Sequence, residues 1–352
     1  MKKIEILETT LRDGSYAVNF SFTSTDTFLL CKSLEDAGFK YIEIGHGVGL
    51  NAGKKGYGVA CQTDEEYMIA AKNAITNSKY GMFCIPKIAR LEDIDLAAKH
   101  DMGFIRIGSN VTEVENSKEY IQKAKDYGLL VSSNFMKSYA LPPEKFAEKV
   151  KKIEKYGVDL IYLVDSAGGM FLDDIQKYYK EIRKFSDIQL GFHGHDNLGL
   201  AVSNSIGCAD MGFSFIDSSL QGLGRSSGNA ATEIMIAALL KKGYHIDIDL
   251  LKTMEIGQKF IQPLLSVKGK MPLDIISGYA EFHSSYMHHI QKYSAKYSVN
   301  PALLILEIAR IDKVDIDEKI LEKIAKRLKK ETDVYSGKFD FSRYFGHEQD
   351  NL

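Results

Sequence analysis

The segment His193-Gly194-His195 is where residue type and spacing in this 352-residue chain point most directly to chemistry. Alternate residues on an extended segment project to the same side, so both imidazoles face one way. Two neutral imidazoles plus one carboxylate make a facial site for a divalent cation and leave positions open for a substrate. Arg12-Asp13-Gly14 supplies a carboxylate beside a fixed cation. The histidine pair alone could also end a strand with no ligand; the Arg-Asp-Gly segment favours the metal reading. Imidazole and oxygen donors without thiolate fit Mn2+, Mg2+, Co2+ or Zn2+. The residues do not choose among these ions, and Mn2+ is the working expectation. Cys31, Cys61, Cys84 and Cys208 lack CxxC spacing and read as reduced thiols rather than a zinc site.

These residues need a scaffold that brings distant segments together. The chain repeats a short β-rich run followed by an amphipathic helical stretch. The expected strands are Ile4–Thr10, Tyr41–Gly45, Tyr80–Ile85, Phe104–Gly108, Leu130–Phe135, Leu160–Asp165, Gln189–His193 and Phe215–Leu220. Each is apolar and β-branched or aromatic, as a strand covered on both faces should be. Helical segments between them include Ser24–Ala37, Asp64–Thr76, Ser117–Tyr127, Pro143–Tyr156, Leu172–Lys184 and Asn197–Asp210. Eight successive βα units predict an α/β fold, a (β/α)8 TIM barrel; an open doubly wound sheet is the alternative. In such a barrel the chemistry sits at the C-terminal ends of the strands, and strands one and seven are near neighbours in the ring. Asp13 then lies at the same mouth as His193 and His195. The alternation stops after about residue 242. The expected division is a catalytic barrel over 1–242 and a helical C-terminal extension over 243–352, packed on the barrel and contributing to its active site.

Bulk properties exclude several classes. A net charge of −2 offers no general attraction for nucleic acid or an anionic membrane. The stretch Lys319–Lys330 is Lys-rich but interleaved with Ile, Leu and Glu at helical spacing, so it reads as a solvated amphipathic helix. No uninterrupted apolar run resembles a signal peptide or a membrane span, and a cytoplasmic location is expected.

Together these residues resemble the DRE-type TIM-barrel metallolyases. That superfamily includes 3-hydroxy-3-methylglutaryl-CoA lyase, isopropylmalate and homocitrate synthases, and the 4-hydroxy-2-oxovalerate aldolases. The likeness is strongest to the aldolases. It is carried by Thr10-Leu11-Arg12-Asp13-Gly14-Ser15, His46-Gly47-x-Gly49-Leu50, Pro143-Glu144-Lys145 and Asp165-Ser166. It continues through His193-x-His195-x-Asn197-Leu198, Gly222-x-Gly224, Gly228-Asn229-Ala230 and Gly278-Tyr279-Ala280. The resemblance implies Asp13, His193 and His195 as metal ligands, with Asn229 as a further oxygen donor. It also implies Arg12 at the substrate keto oxygen and Ser166 near the substrate carboxylate. Asp13, His193 and His283 are likewise expected to border the substrate. The implied reaction is cleavage or formation of a 4-hydroxy-2-keto acid, giving pyruvate and an aldehyde. A partner acylating aldehyde dehydrogenase and a homodimer accompany that reading.

The chain departs from the aldolase pattern at an informative place. The family carries a histidine base directly after Arg-Asp-Gly-Ser, where this chain has Tyr16. The family's Gly-Tyr-Ala-Gly-Val-Tyr-Ser-Ser reads here Gly278-Tyr279-Ala280-Glu281-Phe282-His283-Ser284-Ser285. We therefore expect a swapped pair, with His283 as general base and Tyr16 as its partner, because an imidazole is the side chain best suited to proton transfer near neutral pH. The alternative is two independent substitutions, with the base lost or different. His46 is expected either to support the metal ligands or to pack in a turn. His288 and His289, adjacent on a helix, are expected to point apart. Two other activities stand beside the aldolase. One is a Claisen-type synthase joining an acyl-CoA to a 2-keto acid, whose members follow Arg-Asp-Gly with Glu-Gln rather than Ser15-Tyr16. The other is a non-catalytic relative, which would have little reason to keep Arg12, Asp13, His193 and His195.

Overall fold

The computed structural model describes residues 4–265, 272–328, 330 and 341. The remainder of the expected extension, including most residues after Leu328, lies outside the described residues. Eight parallel strands close into a barrel in the order β1 to β8: Glu5–Glu8, Tyr41–Ile44, Lys79–Cys84, Phe104–Asn110, Leu130–Met136, Leu160–Asp165, Gln189–Gly194 and Phe215–Ser218. Closure is explicit, because β1 pairs with β8 from Glu5 opposite Phe215 to Glu8 opposite Ser218. The open-sheet alternative is thereby excluded. Eight helices, one after each strand, form the outer ring: α1 to α8 are Ser24–Asp36, Asp64–Ala74, Leu91–Lys99, Lys118–Asp126, Pro143–Glu154, Leu172–Arg183, Ala201–Met211 and Thr232–Lys241.

The strands form because their apolar residues are needed on both faces. Ile42, Ile44, Ile105, Ile107, Val131 and Ile161 are among those buried in the main core. A second set, Leu7, Phe104, Leu160, Tyr162, Val164 and Phe215, packs together as its own cluster. That cluster, inside the barrel, is what makes it a packed solid rather than a pore. Helix boundaries follow local chemistry. Thr23 and Thr63 build reciprocal capping boxes with Asp26 and Glu66. Gly212 closes α7 at φ 98°, a left-handed conformation that favours glycine.

One boundary differs from expectation. The helix after β7 starts at Ala201, not Asn197. Asn197 is held out of it: its side-chain amide donates to Ser226 Oγ and to the Asp274 carbonyl, and Leu198 N–H donates to the Gly168 carbonyl. The loop after β7 is thus committed to tertiary contacts.

Beyond α8 lie α9 to α13: Leu250–Ile256, Pro272–Ala280, Met287–Tyr297, Pro301–Ala309 and Glu318–Arg327. The last four share a separate hydrophobic core that includes Leu273, Met287, Ile290, Leu304, Ile308 and Leu321. Helix α13 is the expected amphipathic helix, with Leu321 and Ala325 buried. In α11 the rings of His288 and His289 do not point apart; their centroids are 3.8 Å from each other. Both lean over the same turn as they tilt toward the helix N-terminus. No helix among the described residues is long and apolar enough to cross a membrane.

Candidate metal centre and catalytic mouth

After Glu8 the chain leaves β1 in a tight turn. Arg12 and Asp13 both donate their N–H groups to the Thr9 carbonyl, which carries the two side chains into the barrel mouth. His193 lies within β7 and His195 just beyond its end. His195 also forms a backbone bridge with Asn229, which brings the loop after β8 alongside. The result is a buried cluster. One ligand atom from each of Asp13, His193 and His195 lies within 4.8 Å of the others. These are the three residues that sequence placed together.

The histidines are held in ligating tautomers. His193 Nδ1 is 2.8 Å from Asp217 Oδ2, so Nδ1–H donates to that carboxylate and Nε2 faces Asp13, 3.9 Å away. His195 Nδ1 lies 3.3 Å from the Gly228 carbonyl, which again leaves Nε2 for a metal. Burial pushes the His195 imidazole down to about 4, so it is neutral and able to ligate. Burial alone would raise the Asp13 carboxyl, but Arg12, His195 and His193 hold it well below the ordinary carboxylate range. Asn229 Nδ2 donates to Asp13 Oδ1 at 3.1 Å, while its buried Oδ1 has no protein hydrogen-bond partner. An orphaned buried carbonyl oxygen beside two imidazoles and a carboxylate fits a hard or borderline divalent cation. Gly224 is needed here: a Cβ would sit 2.4 Å from Asn229 Nδ2 and 2.9 Å from Asp13 Oδ1.

A buried ionic network surrounds this cluster and escaped the sequence reading. Glu43 on β2 accepts from Arg12 Nε at 2.8 Å and from Arg106 Nη1 at 2.7 Å. Arg106 on β4 also pairs with Asp217 on β8, and Arg12 with Asp13. The signal was present in sequence: charged residues inside strands expected to be covered on both faces. Such residues are rarely buried unless paired. Formal charges are two guanidiniums against the carboxylates of Asp13, Glu43 and Asp217, one net negative. A divalent cation would turn that to one net positive, a site suited to an anion. Arg12 is further fixed by the Phe83 ring, 4.9 Å from its guanidinium carbon.

The remaining sequence candidates border the mouth in different ways. Ser166, at the end of β6, is buried, and its hydroxyl accepts from the Lys137 backbone N–H at 2.9 Å. His283 caps the short turn Ser284–Tyr286, its Nδ1 2.7 Å from Ser285 Oγ. Burial, reinforced by the charges of Arg225 and Lys137, drives its imidazole well below the ordinary value, and His195 and Asp13 also act on it. Tyr16 sits under Arg225, whose guanidinium carbon is 4.6 Å from the ring centroid. Arg225 in turn donates from Nε to Ser284 Oγ at 3.0 Å, and its backbone N–H donates to Asp13 Oδ1 at 3.0 Å. Tyr16 and the His283 turn are therefore linked through Arg225. Sequence reasoning passed over Arg225 although it directly follows Gly222-x-Gly224, and it passed over Lys137 one residue beyond β5. His46 proves to be a packed turn residue: it stacks on Phe20 at 3.9 Å, and its Nδ1 accepts from Val48 N–H.

Comparison with known proteins places this geometry. Residues 3–260 match the HMGL-like family model, and residues 271–330 match the DmpG-like communication domain. The 4-hydroxy-2-oxovalerate aldolase of Carboxydothermus hydrogenoformans is 33% identical over 332 residues, which is 94% of this chain and 98% of that one. The 4-hydroxy-2-oxovalerate aldolase of Pelotomaculum thermopropionicum is 35% identical over 311 residues, 88% of this chain and 91% of the relative. The carboxyl transferase domain of Rhizobium etli pyruvate carboxylase superposes with a TM-score of 0.74 over 93% of this chain and 60% of that one, at 14% identity, a likeness of fold alone. With the family model covering nearly all of the barrel and the aldolase likeness running almost end to end, the chain belongs to the HMGL-like family.

Proposed function

We propose that this protein is a divalent-metal-dependent aldolase that cleaves or forms a 4-hydroxy-2-keto acid, giving pyruvate and an aldehyde. The observation that carries the reading is the buried cluster of Asp13, His193 and His195 with Arg12 bound to Asp13. The names of its relatives support it. Asp13, His193 and His195 would hold the cation, with Asn229 as the oxygen donor beside them; Mn2+ is the first ion to try. When bound, such a cation supplies Lewis-acid stabilisation of negative charge on the keto oxygen.

The chain's own residues account for the rest. Arg12, held by Glu43 and Asp13, presents a preorganised positive charge to the keto oxygen. Ser166 borders the substrate carboxylate. His283 Nδ1 accepts from the Ser285 backbone N–H at 3.3 Å, which leaves the ring proton on Nε2. His283 takes the C4 hydroxyl proton on Nε2 in its other tautomer, with Nδ1–H turned to Ser285 Oγ 2.7 Å away. The C3–C4 bond then breaks, the C4 oxygen becomes the aldehyde carbonyl, and the electron pair passes to the pyruvate half as its enolate. Protonation at C3 releases pyruvate. Tyr16 is a positioning residue, acting through Arg225 on the His283 turn. The communication domain supports an acylating aldehyde dehydrogenase as the partner that receives the aldehyde, and we extend the reading to a homodimer.

The test is pyruvate release from 4-hydroxy-2-oxovalerate with added Mn2+ and with EDTA. Turnover that requires Mn2+ is expected. Undiminished turnover in EDTA would reject the metal role. Consumption of acetyl-CoA with a keto acid, without cleavage, would favour the Claisen-type synthase.

A further inference from the structure

Lys137 at the barrel mouth has no task in the reaction just described, and its neighbour Arg225 has only the link from Tyr16 to the His283 turn. Lys137 follows β5 directly, in a left-handed conformation at φ 57° that non-glycine residues seldom adopt. It is buried, yet its backbone N–H donates to Ser166 Oγ, which ties it to the substrate wall. Its ammonium donates to the Val314 carbonyl and lies 5.2 Å from the Tyr286 ring centroid. An ammonium has three donors, and the Val314 carbonyl takes one. Among the described residues no carboxylate lies within ion-pairing distance of it. Asp312 and Asp315, the nearest acids by their effect on it, bond instead to backbone N–H groups and to Tyr286 Oη. Arg225 approaches the same turn, Ser284–Tyr286, from the loop after β8. Both cations act on the ring of His283.

Resting on the aldolase reading, we propose that Lys137 and Arg225 recognise a negatively charged group, a carboxylate or a phosphate, on the aldehyde half of the substrate. The pyruvate half is accounted for by Arg12, Ser166 and the metal ligands. The aldehyde carbon must lie beside the base at His283, so its substituent extends toward the groups that flank the His283 turn. Those groups are Lys137 and Arg225. Lys137 is the buried one of the two; burying a cation is unfavourable unless it is matched by an anion or hydrogen-bond acceptors, and an anionic substituent supplies that match on binding. The competing reading makes Lys137 a tether for the Val314 loop, with no role in substrate choice.

The experiment measures aldol addition of pyruvate to propanal, to glyoxylate and to glycolaldehyde phosphate by the full chain with Mn2+. It compares wild type, Lys137→Met, Lys137→Arg and Arg225→Gln. Wild type is expected to show kcat/KM at least tenfold higher with one of the anionic aldehydes than with propanal; whichever is preferred separates carboxylate from phosphate. Lys137→Met should lose about 10- to 100-fold on the anionic aldehyde beyond any loss on propanal. Lys137→Arg should recover part of that difference, and Arg225→Gln should reproduce it if Lys137→Met does not fold. A preference for propanal in wild type, or equal losses on all aldehydes in both truncating variants, overturns the proposal. Exchange of the pyruvate methyl protons in D2O reports enolisation without any aldehyde. If wild type exchanges them and shows no anionic preference, this inference alone fails. If it neither exchanges them nor forms aldol product, the aldolase reading fails and takes the inference with it.

Discussion

At the scale of single residues, Asp217 separates holding a ligand from being one. It touches no metal position; it fixes the His193 tautomer and pairs with Arg106. Asp217→Asn keeps the size but offers an amide that can donate to Nδ1 and favour the non-ligating tautomer. Mn2+ affinity should fall about 10- to 100-fold, read by titration of the metal-free protein; an unchanged Kd would remove Asp217 from the account. His283 makes a second prediction. Its depressed imidazole is neutral at and below its ordinary value of 6.5, so the base form is already present there. The acid limb of kcat/KM should therefore fall below pH 6.5, and His283→Ala should lower kcat by about 10² to 10⁴. Near-wild-type turnover by that variant would move the base elsewhere. The metal triad was legible in sequence because two of its ligands are two residues apart and the third adjoins an arginine. Glu43, Arg106 and Asp217 were visible as charges inside strands, but their pairing was not, because β2, β4 and β8 bring them together only when the ring closes.

At the scale of elements, Glu8 shows what holds the seam between the first and last strands. It is fully buried at the end of β1 and accepts from Thr10 N–H, Thr10 Oγ1 and Leu220 N–H, which ties the turn after β1 to the segment after β8. Burial pushes its carboxyl up to about 7 against these hydrogen bonds. Between pH ~4.5 and ~7 the folded chain therefore retains a proton that the unfolded chain releases, and stability falls as pH rises through that window. The largest contribution is on the order of 3 kcal/mol for a shift of this size. Glu8→Gln should flatten the pH dependence of unfolding and gain on wild type at pH 8 relative to pH 5, as read by urea midpoints. Parallel pH profiles for the two proteins would show that the carboxyl is ionised in the fold. Strands and outer helices were readable because each needs only its own apolar period and caps. The start of α7 was not, since Asn197 is withheld from it by Ser226 and Asp274, residues 29 and 77 positions away in sequence. The closeness of His288 and His289 was likewise hidden, because adjacency on a helix fixes backbone direction but not where two tilted rings end.

At the scale of the whole molecule, the metal cluster and the barrel seam coincide. Asp13 follows β1, His193 and His195 end β7, and Asn229 follows β8, and these three strands are where the ring closes. A cation shared by those segments binds the folded barrel and not the unfolded chain, so it must stabilise the fold by linkage. At a free concentration about a hundredfold above Kd the gain is about 2.7 kcal/mol. For a chain of this length that is a rise of several degrees in Tm. The effect should be specific to the barrel. The extension has its own core around Met287 and Leu304, and its described ties to the mouth run through Arg225–Ser284, Asn197–Asp274 and Lys137–Val314 rather than through the metal ligands. Differential scanning calorimetry of the full chain with and without Mn2+ should show the transition that carries the barrel moving upward, reversed by EDTA. Any separate transition of the extension should move less. His193→Ala should fold and show no Mn2+ shift, because removing one of two imidazoles leaves too weak a site at the same ion concentration. An equal shift in wild type and His193→Ala would place the bound ion away from this cluster. The absence of any shift in wild type would mean that Asp13, His193 and His195 do not form a metal site.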